Sequence, residues 1–405
     1  MSHAATLEAR TAPPAVEPDR RAYLMLALAS VGFAVNFWAW ALLSPLGTRL
    51  KGELGLTSFQ QALLVAVPVV VGSLGRIPVG ALTDRNGGRV MFPAVSFATI
   101  VPVLFLGQLG HSSYAALLVG GFFLGIGGTA FAVGVPFVSA WFPPARRGFA
   151  IGVFGAGMGG TAISALTTVK LAARHGIATP FLLTAAALAV YGVVAAALLR
   201  DAPNRTIPSG SAVRRLVDTC RLTVTWELSA LYAVAFGCYV ALSVYLPTYL
   251  KTAYDLTQTS AANKMAGFVL VAVIMRPIGG WLCDRLVPTT VLAVTFAVVA
   301  AGALAQSSTP ALAPYATVAF LATAAAVGAG SGAVFALVAR RAPADRVGGV
   351  TGVVGAAGGL GGFVPPLLMG SVYGSTGSYT IGLLLLATTA VAALVLTLTK
   401  VRRPA

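Results

Sequence analysis

Arg76 to Arg85 reads R-I-P-V-G-A-L-T-D-R, and two hundred residues later Arg276 to Arg285 reads R-P-I-G-G-W-L-C-D-R. In each copy an arginine opens the stretch, a glycine follows at Gly80 or Gly280, and Asp84-Arg85 or Asp284-Arg285 closes it. Each opening arginine lies inside a long apolar segment. An ionisable residue at membrane depth costs about 2.5–3.5 kcal/mol on insertion scales, so it marks a functional site by default. Two of them at matching positions point to a central site for an anion.

The chain around these stretches has 405 residues, of which 57% are hydrophobic and 9% charged. A soluble domain carries roughly 25% charged residues, so this composition is that of an integral membrane protein. A spanning helix needs about 20 mostly apolar residues. That rule places helices near 22–46, 58–82, 90–109, 114–140, 147–172 and 178–199, then near 226–250, 260–283, 288–308, 314–339, 347–373 and 378–399. The expected fold is all-α: twelve transmembrane helices in two six-helix bundles, 22–199 and 226–399. Between them 200–225 is polar, with Pro203, Pro208 and Ser209-Gly210-Ser211, and reads as a cytoplasmic linker. Residues 1–21 read as a disordered cytoplasmic tail, too long and too acidic to open a signal peptide. Residues 400–405 form a second short tail.

The formal net charge of +16 would suggest nucleic acid in a soluble protein. Its distribution gives a better explanation, and no nucleic-acid partner is expected. One side of the layout holds both termini and the linker. It receives all 27 Lys and Arg residues except Arg49, Lys51, Lys170, Arg174, Lys251, Lys264 and the two arginines inside spans. That is a strong positive-inside bias, which places both termini in the cytoplasm of a multi-pass cell (inner) membrane protein. Arg76 precedes Asp84 by eight residues. At about 1.5 Å per residue it lies roughly 12 Å inside a core of about 30 Å, too deep to snorkel easily. Arg276 has the same depth in the eighth helix.

The repeat extends further. Pro143, Arg146, Gly148, Gly152, Gly155 and Gly159 have mates at Pro343, Arg346, Gly348, Gly352, Gly355 and Gly359. Two parallel six-helix repeats are the pattern of a rocking transporter with its site between the halves. The glycine runs, Gly152 to Gly160 and Gly352 to Gly362, let helices approach closely. They serve packing alone, or they also leave bare backbone along the site. They are not phosphate-binding loops, since neither follows a strand nor ends in Gly-Lys-Ser/Thr. The tight loop from Gly80 to Arg89 reads as a cytoplasmic gate in which Asp84 accepts hydrogen bonds, or as a plain solvated loop. Every one of the 11 carboxylates falls in a tail, loop or helix end. Proton-driven carriers usually place Asp, Glu or His within the membrane, and none stands at mid-depth here. The three cysteines have neither disulfide nor metal-ligand spacing, and the three histidines fall in loops or the tail. No metal or other cofactor is expected.

With these residues in view the chain resembles the major facilitator superfamily. Within it the chain is similar to the nitrate/nitrite porter family over nearly all twelve helices. The pieces that carry the resemblance are G-R-I-P-V-G-A-L-T-D-R-N-G-G-R from Gly75, A-W-F-P-P-A-R-R-G-F-A-I-G-V-F-G-A-G-M-G-G-T-A from Ala140, M-R-P-I-G-G-W-L-C-D-R from Met275, and G-V-V-G-A-A-G-G-L-G-G-F-V-P-P from Gly352. The resemblance implies that Arg76 and Arg276 are the substrate arginines, and that Phe131, Tyr232 and Phe236 are the site aromatics. It puts Gly157, Gly159, Gly160, Gly358 and Gly359 in the paired nitrate signatures. The family carries Asn after the G-x-G of its helix 5 signature, and that position is read here as Gly160. A polar contact is then missing, or Thr161 or Asn36 replaces it. Gly80, Asp84, Arg85, Asp284 and Arg285 fall in the gating loops.

The chemistry of the residues agrees with these implications. Nitrate and nitrite are small planar oxyanions, and a guanidinium offers a planar fork of donors that matches two oxygens. Two arginines without a carboxylate suit obligatory exchange of nitrate against nitrite by a monomer in the lipid bilayer. A proton-coupled nitrate importer, a carrier of organic anions or drugs, and a non-transporting nutrient sensor remain as alternatives. A membrane enzyme fits least, because no nucleophile–base pair or metal cluster is present.

Overall fold

The computed structural model describes residues 19–203, 205, 211–343 and 346–401, and at 111, 144, 145, 212 and 284 the backbone alone. Most of the expected N-terminal tail and the end of the C-terminal one lie outside the described residues. Twelve helices are long and apolar enough to cross a membrane. Spans 1 to 6 are Arg20–Leu54, Ser58–Asn86, Gly88–Gln108, Tyr114–Trp141, Arg146–His175 and Ala178–Leu198. Spans 7 to 12 are Thr223–Tyr254, Gln258–Cys283, Pro288–Ser307, Leu312–Arg341, Val347–Thr376 and Thr380–Val401. No strand occurs among the described residues.

Each expected span is there, and spans 1, 2, 5, 7, 10 and 11 run three or more residues in all beyond the apolar window. Polar ends explain the extension. The last turn of span 1, for example, carries the Arg49–Glu53 pair at 2.7 Å with i, i+4 spacing, a spacing that supports a helix end. Inside each half the helices approach through small residues, as membrane helices do. A Cβ on Gly279 of span 8 would lie 2.2 Å from the Ala329 carbonyl oxygen of span 10, and one on Gly328 would lie 2.2 Å from that of Ala272.

The linker is not featureless. It contains a helix, Ala212–Cys220, and its first residues wrap the turn between spans 2 and 3. Gly87 takes φ +82 there, and an added Cβ would meet the Asp201 carboxylate at 2.1 Å. Asp201 accepts from the Arg89 backbone N–H at 3.2 Å. Only glycine satisfies both the positive φ and the close approach, which explains the Asn-Gly-Gly at the end of the first motif copy.

The halves are latched at the end far from the linker. Ser44 donates to the Val244 carbonyl at 2.7 Å, Gln61 to the Thr248 hydroxyl at 3.0 Å, and Gln258 to the Pro45 carbonyl at 2.6 Å. At the linker end the repeat glycines Gly80, Gly148, Gly280, Gly348 and Gly352 face open space. A Cβ on any of them would meet nothing within 4 Å among the described residues.

Candidate functional site

Span 2 is broken at Gly75, between Ser58–Leu74 and Arg76–Asn86. Arg76 therefore opens the second segment. Its mate Arg276 stands within the unbroken helix Gln258–Arg285 of span 8. Both are buried, at 6% and 4% exposure. They converge on one aromatic pair. The Arg76 guanidinium carbon lies 5.1 Å from the Phe131 ring centre and 5.8 Å from that of Phe236. For Arg276 the distances are 5.7 and 5.5 Å. Each such contact contributes about 0.5–2 kcal/mol, so two ring faces hold two cations that water has left.

Tyr232 stacks parallel on Phe236, with centres 5.0 Å apart and 1° between planes. Their i, i+4 spacing on span 7 puts both on one face. The Tyr232 hydroxyl accepts from Arg276 Nη2 at 3.3 Å. Gly358 makes room for that ring, since a Cβ there would lie 2.1 Å from it. Gly359 likewise faces the Ser73 hydroxyl. Beside Arg76 a cavity of about 10 Å³, lined by Phe37, Trp40, Ser73, Val240 and Gly359 among others, has room for about one water molecule.

Three partners were not legible in the sequence. Arg76 Nη1 donates to the Gly355 carbonyl at 2.7 Å, and Arg276 Nη1 donates to Met158 Sδ. Phe335 of span 10 packs edge-on to Tyr232 at 4.8 Å and lies 6.2 Å from Phe131. The repeat held a signal for the first of these. Gly155, the mate of Gly355, lies against Arg276, with an added Cβ 3.2 Å from its Nε. Each arginine thus meets the glycine helix of the opposite half.

The remaining expected residues are placed elsewhere. Asn36 donates to Ser96 and to the Gly32 carbonyl, both at 2.9 Å, inside the first half. Gly157 packs against the Phe33 ring, and Gly160 against the span 1 backbone, where a Cβ would lie 1.9 Å from the Ala34 carbonyl oxygen. Gly159 faces open space. Thr161 shares a hydrogen bond with Tyr239 across the halves at 3.3 Å. The side chain that the helix 5 run offers to the arginines is Met158, one residue after Gly155-Ala156-Gly157, and not position 160. Gly160→Ala is expected to destabilise the fold by about 1–3 kcal/mol through overpacking, read as a lowered thermal unfolding midpoint in detergent. Unchanged stability with altered anion preference would instead put Gly160 in the anion's path.

At the linker end Asp84 pairs with Arg215 at 3.4 Å, and its carbonyl accepts from Arg205 at 2.7 Å. Gly80 leaves the same helix face open, and Arg85 is exposed. Arg285 lies over the Trp281 ring at 4.3 Å. The Asp284 side chain is outside what is described.

Every described carboxylate sits at a span end or in the linker. Glu53 is with Arg49, Glu227 with Arg341 and Asp218 with Arg346. Asp201 caps the Gly87 turn, Asp19 precedes span 1, and Asp255 follows span 7. The two central guanidiniums therefore have no counter-ion among the described residues. Arg76 Nε is buried without a hydrogen-bond partner there. Buried charge of one sign, spare planar donors and aromatic walls, between two repeated halves, define a membrane carrier for small anions.

Sequence comparison agrees. The model of the Major Facilitator Superfamily matches residues 29–366 and 265–405, and the chain belongs to that superfamily. Within it the chain belongs to the nitrate/nitrite porter family. It is 49% identical over 381 residues to the probable nitrate/nitrite transporter NarK2 of Mycobacterium tuberculosis, covering 94% of this chain and 96% of that one. It is 35% identical to the nitrite extrusion protein of Bacillus subtilis, covering 93% and 94%. Among solved structures, a bacterial homolog of the human lysosomal transporter Spinster, inward-facing and occupied, superposes with a TM-score of 0.72 at 18% identity, covering 94% and 97%. The human organic anion transporter MFSD10 gives 0.73 at 15%, covering 95% and 100%. At such identities these two likenesses concern the fold alone.

Proposed function

We propose that this protein carries nitrate and nitrite across the cell membrane, exchanging one for the other by alternating access of a single site. The observation that carries this reading is the pair Arg76 and Arg276, buried on one aromatic pair with no carboxylate beside them among the described residues. The names of the M. tuberculosis and B. subtilis relatives supply the substrate class. A planar oxyanion accepts bidentate, charge-assisted hydrogen bonds from a guanidinium while its flat face lies along Phe131 or Phe236.

The guanidiniums donate to a carbonyl and a thioether. Neither cancels charge, and a thioether is a weak acceptor. An arriving anion displaces both. The cavity beside Arg76 is smaller than the anion, so binding draws the arginines off these resting partners. The latched far end and the open glycine faces at the linker end support an arrangement open toward the linker. The positive-inside bias makes that side cytoplasmic. The carrier works as a monomer, with the site between its two halves. The test is entry of labelled nitrate into proteoliposomes loaded with nitrite. Uptake no faster than in protein-free vesicles overturns the reading.

The gate has its own prediction. Asp84→Asn removes the charge that Arg215 meets but touches nothing in the anion site. Vesicle uptake is expected to fall about tenfold, the scale of one charge-assisted hydrogen bond, while purified protein still binds nitrate. Parallel loss of both would mean misfolding or a direct role in the site.

A further inference from the structure

We propose that the linker helix, Ala212–Cys220, is a docking surface for the headgroups of anionic phospholipids. One side of this helix is tied to the protein. Arg215 meets Asp84 at 3.4 Å and Asp218 meets Arg346 at 3.6 Å. Thr219 is buried against Gly349, where an added Cβ would lie 2.5 Å from its hydroxyl. The other side is free. Val213 and Val217, spaced i, i+4 and so on one face, are 69% and 45% exposed. At 100° per residue Arg214 and the C-cap Arg221 lie together on one side of them, about 40–60° beyond Val217, and both are exposed.

Valines beside arginines are the mark of a helix lying in a membrane interface, with its apolar side chains below the headgroups and its cations among them. Its height is fixed independently. Trp226, in the first turn of span 7, is 59% exposed, and its indole N–H donates to the Cys220 carbonyl at 2.7 Å. Tryptophan concentrates at the membrane–water boundary. The end of the linker helix is thus bonded to a residue at that boundary.

Charge selects the lipid. The free side carries two cations, and the helix's one carboxylate, Asp218, faces Arg346. A zwitterionic headgroup gains little from such a face, whereas an anionic one gains about fivefold in local occupancy per arginine. The surface is separate from the central arginines and stands or falls without the transport reading. It also offers a route for lipid to act on the gate, since the same helix holds Asp84 from one half and Arg346 from the other.

The test uses the full chain with Cys220, Cys238 and Cys283 replaced by alanine and a fluorophore on Val217→Cys, in lipid nanodiscs. Brominated phosphatidylglycerol in plain phosphatidylcholine is compared with the reverse pairing at equal mole fraction. Phosphatidylglycerol is expected to quench at least about fivefold more effectively than phosphatidylcholine. Arg214→Gln with Arg221→Gln should remove the preference, and Arg214→Lys with Arg221→Lys should keep it. Equal quenching by the two lipids would overturn the proposal, leaving mere immersion. Absence of quenching by either would also overturn it, by turning the face to water and a soluble partner. So would a preference erased by free glycerophosphate, which marks a site for soluble phosphate.

Discussion

Arg76→Lys and Arg276→Lys are each expected to lower nitrate uptake by about ten- to a hundredfold while leaving the fold intact. Lysine keeps the charge but presents a point ammonium in place of a planar fork. The loss then amounts to one charge-assisted hydrogen bond, about 1.5–3 kcal/mol, together with the guanidinium's face on Phe131 and Phe236. The two variants should behave alike, because each arginine meets the same ring pair at nearly the same distance. Uptake into nitrite-loaded proteoliposomes and thermal unfolding of the purified variants separate function from folding. Near-normal uptake by either variant would remove that arginine from the site.

Nitrate entry is also expected to stop, to about a hundredth of its rate or less, when the far side offers neither nitrite nor nitrate. The reason is charge in a closing cavity. Arginine does not give up its proton in proteins, and no carboxylate among the described residues faces the pair. An empty carrier must then carry two unneutralised guanidiniums through a state in which both gates are shut, and desolvating them costs at least several kcal/mol. The resting partners, the Gly355 carbonyl and Met158, solvate this charge but do not cancel it. A returning nitrite does cancel part of it. Influx compared between buffer-filled and nitrite-filled vesicles reads the ratio, and equal rates would contradict it.

Much of this was legible in the sequence, for identifiable reasons. Span placement follows from the length of apolar runs, which the bilayer thickness sets. The two buried arginines announced themselves because a charge at depth is costly, and their pairing because the chain repeats. What the sequence hid was set by tertiary contact. Phe335 is one more apolar residue in an apolar span. It does stand four residues beyond Ser331, the repeat mate of Phe131, so it shares that residue's helix face one turn on. Gly160 looked like the site because the run contains two overlapping G-x-G registers. Only the contact of Gly160 with the Ala34 carbonyl separates them. The linker helix escaped because its nine residues lie beside Pro203, Pro208 and a Ser-Gly-Ser segment that read as loop. Its stability comes from Asp84, Arg346 and Gly349, none of them near in sequence.

The most direct measurement of the central claim uses proteoliposomes with neither anion inside and an acidic medium outside. With two arginines and no titratable carboxylate at the site among the described residues, an inward proton gradient should drive no accumulation of labelled nitrate. The same vesicles loaded with nitrite should take nitrate up at neutral pH on both sides. Accumulation in the nitrite-free vesicles that collapses on adding a protonophore would contradict exchange and establish proton symport in its place.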